Sequence, residues 1–208
     1  MSEFKKIHQQ TMSGVYERNA QTWDEQRPRT LVEKDWLDKF VSRLPAGGAV
    51  LDVGCGAGEP IAQYFIERGF AVTGIDASLG MINFCKSRFP EHQWQVMDMR
   101  QLDLGRKVDG IIAWDSFFHL NPAEQRQMLH YFLDHLRSGG VLMMTVGHEA
   151  GEVLGVVAGE QVYHSSLSAE EYQRILRDGG LEQIEIVFQD ASCGGRTVLL
   201  ASAHQHDN

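Results

Sequence analysis

The chain has 208 residues, 43% of them hydrophobic, which suits one α/β domain with a modest appendage. Its 19 basic and 28 acidic residues leave a net charge of −9, which disfavours nucleic-acid backbones and anionic lipid as partners. The start Met1-Ser2-Glu3-Phe4-Lys5-Lys6 has no apolar leader and the longest apolar runs are strand-sized, so a cytoplasmic protein with no membrane partner is expected.

Residues 1 to about 10 and the tail His204-Gln205-His206-Asp207-Asn208 are expected to fray, the His-x-His included. A first helix over roughly 12–24 puts Tyr16, Ala20 and Trp23 on one face and is otherwise polar, so it is weakly held unless it covers something, as a lid does. A second helix is expected from Thr30, with Glu33 at capping-box spacing. In it Val32, Trp36, Phe40 and Leu44 recur every four residues and predict a stripe packed on a sheet. Residues 1–45 then form a helical cap, and residues 46–208 a single compact domain.

From there helix and strand patterns alternate. Strand Ala49–Val53 leads through a glycine loop to a helix opening at Pro60 and closing at Gly69, and strand Ala71–Ile75 follows. Ser78 caps a helix that ends before Pro90, and a short strand Gln93–Met97 precedes Asp98. Strand Gly110–Trp114 reaches Asp115, and Asn121-Pro122-Ala123-Glu124 starts a helix that stops at Gly139-Gly140. Strand Val141–Val146 comes next, then a longer connection, then a helix from Ser168-Ala169-Glu170-Glu171 to Gly179-Gly180. Strands Leu181–Phe188 and Thr197–Ala203 flank a turn with Gly194-Gly195 and form an antiparallel hairpin. The result is an α/β fold: a seven-stranded, mostly parallel sheet with an antiparallel last strand and helices on both faces.

The run Val50-Leu51-Asp52-Val53-Gly54-Cys55-Gly56-Ala57-Gly58 carries the most chemistry. A dinucleotide loop needs its third glycine where Glu59 stands, and a phosphate loop needs Gly-Lys-Ser/Thr, which is absent. Asp52, just before the loop, repels a pyrophosphate and suits a ligand with an ammonium or sulfonium group. Asp76, at the end of the second strand, has acceptors for both ribose hydroxyls of an adenosine, and Asp98, at the end of the third, suits the adenine amine. Each aspartate also has a local use, on loop amides, in a helix cap or in a turn. They nevertheless fall at consecutive strand ends, where open α/β sheets bind ligands.

These residues resemble the class I S-adenosylmethionine-dependent methyltransferases, in the motif just quoted and in a second at Gly74-Ile75-Asp76-Ala77-Ser78; the likeness runs from Tyr16 to the late hairpin. It implies a Rossmann-like doubly wound fold and transfer of a methyl group from S-adenosyl-L-methionine to a small-molecule N, O or S nucleophile by direct displacement. By that resemblance Gly54, Cys55, Gly56 and Gly58 border the methionine part of the cofactor, Asp76 the ribose, and Asp98 with Met99 the adenine. Ala77 and Met81 wall the adenosine pocket, and Trp114 or Asp115 lies on the fourth-strand side. Tyr16 and Trp23 match the aromatic residues that close over the cofactor in many small-molecule members, and Arg27 would then meet its carboxylate.

His119 and His148 follow the fourth and fifth strands and are the candidates for taking a proton from the acceptor. Tyr163, His164 and Arg196 join them as candidates for touching it. The Asn/Asp-Pro-Pro-aromatic motif of amino-methylating DNA enzymes is absent at Asp115-Ser116-Phe117-Phe118, and no Asp/Asn cluster suits magnesium. Cys55, Cys85 and Cys193 form no CxxC pair and read as reduced thiols. A small-molecule acceptor, no metal, no nucleic acid, and a monomer or homodimer are therefore expected. Rival readings are a non-catalytic protein that binds the adenosyl cofactor, an aminopropyl transferase, and an NAD-dependent oxidoreductase, which Asp52 and Glu59 oppose.

Overall fold

A computed structural model describes residues 3–203, the side chains of Met12 and Ser13 apart; the His-x-His of the tail lies outside them. Its strands are β1 Ala49–Val53, β2 Ala71–Asp76, β3 Gln93–Val96, β4 Val108–Ala113, β5 Leu136–Val146, β6 Gly151–Val157, β7 Glu160–Ser166, β8 Gln183–Asp190 and β9 Arg196–Ser202. Seven of them form one sheet in the order β3-β2-β1-β4-β5-β9-β8, in which only β9 runs antiparallel to its neighbours. This is the mostly parallel sheet with a reversed last strand that the sequence predicts.

The helices are α1 Glu3–Gln10, α2 Tyr16–Arg18, α3 Ala20–Gln26, α4 Lys34–Val41, α5 Ile61–Glu67, α6 Leu79–Arg88, α7 Pro122–His135 and α8 Ala169–Asp178. Three predicted caps form. Ser78 accepts from the Met81 amide, Ser168 from the Glu171 amide, and Asn121 and Glu124 cap α7 reciprocally. Alternate strand residues feed two apolar cores on opposite faces of the sheet. Leu51, Val53 and Ile111 pack with Leu129 and Phe132 of α7 and Leu176 of α8. Val50, Val72 and Ile112 pack with Phe40 of α4 and Phe65 of α5.

Four expectations need correction. Residues 3–10 are helical rather than frayed, because α1 buries Ile7 and sets Phe4 and His8 edge-on to the Tyr163 ring at 6.2 and 4.9 Å. The single helix expected over 12–24 is broken twice, at Gly14 (φ 149°) and at Asn19, whose side chain accompanies Val15 and Glu160 instead of continuing the turn. The helix expected from Thr30 begins at Lys34. Glu33 does not close a capping box there, since it is buried and accepts from Arg27 at 3.3 Å. Finally, α7 stops at His135, whose Nδ1 donates to the Tyr131 carbonyl and whose Nε2 accepts from the Leu104 amide, so Leu136 already pairs with Val108 in the sheet.

The long connection after β5 is itself a hairpin, β6 with β7, turned by Ala158-Gly159, both at positive φ (49° and 81°), as a two-residue turn between twisted strands requires. The segments from α1 to α3 form an arm, of which α1 and the residues up to Asn19 lie against the hairpin. Arg18 and Asn19 donate to Glu160 at 2.6 and 2.8 Å, and His8 meets Glu124 of α7 at 2.8 Å.

Candidate active site

The sheet order reverses direction between β1 and β4, and ligands of open α/β sheets bind outside the carboxyl ends of the strands at such a point. A cavity of about 250 Å³ opens there. Its floor is the glycine loop after β1, its sides are the residues following β2, β3 and β4, and its roof is the arm, through Tyr16, Glu17, Trp23, Asp24 and Arg27.

The glycines of the loop divide their work. Gly54 sits at φ 73°, and a Cβ there would stand 2.3 Å from the Ser116 Cβ, while the Ser116 hydroxyl donates to the Val53 carbonyl at 2.6 Å. Gly54 is therefore a packing requirement. Gly56, at φ 53°, has nothing within 4 Å of a notional Cβ and faces open space. Gly58 would press a Cβ on Cys85 and Phe89 at 3.2 Å, so it seats the loop on α6 and lies outside the cavity lining.

Around Gly56 stand two acids, Asp52 buried and Asp76 half-buried. Asp52 is 3% exposed, and burial, with the charge of Asp76, pushes its carboxyl up to about 7 against the opposing pull of Arg27. Asp76 accepts from the Gly56 amide at 3.0 Å and the Ser78 amide at 2.8 Å; burial still holds its carboxyl above the ordinary range, although those amides pull it down. Both carboxyls thus lack full compensation, and a cation placed between them would supply it.

Farther along, Asp98 is gripped by the Arg100 guanidinium, which also reaches Glu124 at 3.1 Å, and Met97, Asp98 and Met99 line the same wall. Trp114 is buried and its Nε1 has no partner. Asp115 adopts φ 52°, clasps Arg196 at 2.8 Å and lies 3.7 Å from Arg27. His119 is 6% exposed, with Nε2 2.7 Å from the Tyr16 hydroxyl and Nδ1 3.0 Å from the Tyr163 carbonyl. Burial lowers its pKa to about 4, so the ring is neutral near pH 7.

Of the residues proposed from the sequence, Tyr16, Trp23, Asp52, Gly54, Cys55, Gly56, Asp76, Ala77, Met81, Asp98, Met99, Trp114, Asp115 and His119 all line the cavity. His148 does not; it borders a shallow hollow with Leu167 and Phe188 beyond the end of β5. Tyr163 turns its phenol to Glu152 and contributes only its carbonyl, His164 meets Phe118 edge-to-face at 4.7 Å, and Arg196 reaches the site through Asp115. Residues that sequence reasoning missed complete the roof. Glu17 accepts from the Ser78 hydroxyl and from the Gly80 amide at 3.0 Å, and Asp24 takes the Arg88 guanidinium at 2.6 and 2.8 Å. Their partners lie 61 to 64 residues away, so no local pattern announces them.

Residues 50–140 match the family model described as a methyltransferase domain. The chain is 26% identical to the dTDP-3-amino-3,4,6-trideoxy-alpha-D-glucopyranose N,N-dimethyltransferase of Streptomyces venezuelae, across 77% of this chain and 68% of that protein. It is 31% identical to the malonyl-[acyl-carrier protein] O-methyltransferase of Acetivibrio thermocellus, across 69% of this chain but only 50% of that protein's length. Among solved structures, the fold is similar to that of an S-adenosylmethionine-bound amino pentose methyltransferase from Micromonospora echinaspora, with a TM-score of 0.65 at 19% identity and 98% of both chains covered.

Proposed function

We propose that the chain is an S-adenosylmethionine-dependent methyltransferase and that it methylates a nucleophilic N, O or S atom of a small molecule bound beneath the arm. The bound cofactor supplies an electrophilic methyl group on a cationic sulfur. The observation that carries the reading is the pair of under-compensated acids, Asp52 and Asp76, flanking the open Gly56. A cationic adenosyl ligand relieves both, whereas a pyrophosphate aggravates both.

The residues present fit that ligand. Asp76 has lone pairs beyond those taken by Gly56 and Ser78 for the ribose hydroxyls, Asp98 with Met99 would take the adenine, and Arg27 the carboxylate. The unpartnered Trp114 Nε1 is a further donor at this wall. Tyr16, Trp23 and His119 close the acceptor side, so the chain's own contribution is alignment and exclusion of water. His119 offers a lone pair at Nε2 that orients the acceptor once the Tyr16 hydroxyl yields its place.

Isothermal calorimetry with S-adenosylmethionine and a labelled-methyl assay on a metabolite extract test the proposal. Tight cofactor binding and a labelled small product are expected; binding of NAD in its place overturns it. We further place the protein in the cytoplasm as a monomer or homodimer, with residues 1–45 as the cap of one catalytic domain. Among the described residues no helix is long and apolar enough to cross a membrane, and the three cysteines are unpaired.

A further inference from the structure

Charge narrows what fits beside the cofactor. Among the described residues lining the cavity, seven acidic side chains accompany two guanidinium groups, those of Arg27 and Arg29, and Asp24, Glu59, Asp98 and Asp115 are themselves paired with arginines. Neither guanidinium is open to an anion on the acceptor. Arg29 bridges Asp24 and Glu59 at 2.8 and 3.1 Å. Arg27, 3.3 Å from Glu33 and 3.7 Å from Asp115, is the group the cofactor's own carboxylate would take. At the rim Arg196 is clasped by Asp115 and Arg18 by Glu160, at 2.8 and 2.6 Å.

What faces the acceptor end instead is electron-rich. With Nδ1 of His119 committed to the Tyr163 carbonyl, the Nε2 lone pair accepts from the Tyr16 hydroxyl at 2.7 Å and becomes free for a ligand when that hydroxyl turns away, and the Asp115 carboxylate, shared with Arg196, lies on the same wall. The Tyr16 and Trp23 rings meet edge-to-face at 5.6 Å and add π faces. A lone pair, a carboxylate and aromatic faces together recognise an ammonium and repel a phosphate or carboxylate.

We propose, resting on the methyltransferase reading, that the acceptor is an amine that carries positive charge and neither phosphate nor carboxylate. This sets the chain apart from its relatives named for a dTDP-sugar and a malonyl group. In the transfer the ammonium first loses a proton to solvent. The freed nitrogen lone pair then forms the N–C bond while the C–S bond breaks and its electrons remain on sulfur. The product is again a cation, a methylated ammonium, matched to the same walls.

Butylamine and butyrate have similar size and opposite charge, and spermidine is a larger cation. On the full chain saturated with S-adenosylhomocysteine, calorimetry is expected to show butylamine and spermidine binding at least tenfold more tightly than butyrate, with Asp115→Asn narrowing the gap. With labelled S-adenosylmethionine, spermidine or butylamine is expected to become labelled, and glycine and a nucleotide-linked amino sugar are not. Preferred binding of butyrate overturns the proposal. So does labelling confined to the carboxylate- or phosphate-bearing amines, or no labelled amine at all while the cofactor binds. Failure of S-adenosylhomocysteine and S-adenosylmethionine to bind overturns the methyltransferase reading itself, and this proposal with it.

Discussion

The hydroxyl of Tyr16 donates to Nε2 of His119 across 2.7 Å, and the direction of that bond is fixed from the far side of the ring. Nδ1 faces the Tyr163 carbonyl at 3.0 Å, which can only accept, so Nδ1 holds the proton and Nε2 the lone pair. Tyr16→Phe leaves that buried lone pair unmet, at a cost of about 1–3 kcal/mol. Amide exchange across residues 16–26 is expected to speed up accordingly. Unchanged protection of those amides would show that the bond does not hold the arm.

His119 and Asp52 give opposite pH dependences over one window. The His119 pKa is lowered from 6.5 to about 4, so its contribution is complete above 6.5 and lost as pH falls through 4. The Asp52 pKa is raised from 3.8 to about 7, so its contribution is complete below 3.8 and lost as pH rises through 7. The spans correspond to about 3 and about 4 kcal/mol respectively. Relative to the parent protein, His119→Gln is expected to gain stability as pH drops from 6.5 to 4.5, and Asp52→Asn to lose it. Urea midpoints at pH 4.5, 5.5 and 6.5 decide the matter, and difference curves of the same sign would refute the assignment.

Gly54 and Gly56, two residues apart, should behave differently on substitution. Gly54→Ala drives a methyl into Ser116 at positive φ and is expected to cost several kcal/mol of stability, roughly the range of an overpacked core with backbone strain. Gly56→Ala meets no protein atom within 4 Å and carries only the cost of its φ of 53°, roughly 1 kcal/mol. Its methyl instead occupies space open to a ligand. Thermal melts should separate the two variants in stability, and cofactor titration of the folded Gly56→Ala protein should show weakened binding. Parent-like affinity in Gly56→Ala would mean that nothing approaches the loop there.

Asp76→Ala removes the carboxylate that receives the Gly56 and Ser78 amides and is proposed to receive the ribose. Hydrogen bonds to a charged group are worth about 1.5–3 kcal/mol each, so cofactor affinity is expected to fall by at least roughly tenfold. Calorimetry reads this directly. A dissociation constant equal to the parent's would put the ribose elsewhere.

The sheet was legible because its central strands are short apolar runs bounded by glycine, proline or a polar cap; β1 falls on the expected residues, and the caps at Ser78, Asn121 and Ser168 form. The floor and sides of the cavity were legible for a related reason, since Asp52, Asp76 and Asp98 stand at or just beyond the carboxyl ends of successive strands and the topology alone brings those ends together. The roof was not. Glu33 has the spacing of a cap yet pairs with Arg27, and Glu17 finds Ser78 from 61 residues away. The β6–β7 hairpin leaves Val153 and Val156 facing solvent at 60% and 70% exposure, so its apolar residues do not alternate as a half-buried strand's do.

The bonds from Arg18 and Asn19 to Glu160 join residues separated by 142 and 141 positions. During synthesis the arm emerges before either of its anchorages. The contacts of Glu17 and Asp24 with Ser78, Gly80 and Arg88 become available once α6 has emerged, and those of Arg18 and Asn19 with Glu160 only when β7 has. Each closes a loop whose entropy the contacts must repay, and the second loop is more than twice as long as the first. A nascent chain halted short of β7 would hold its arm by α6 alone, with the side that meets the hairpin still unanchored.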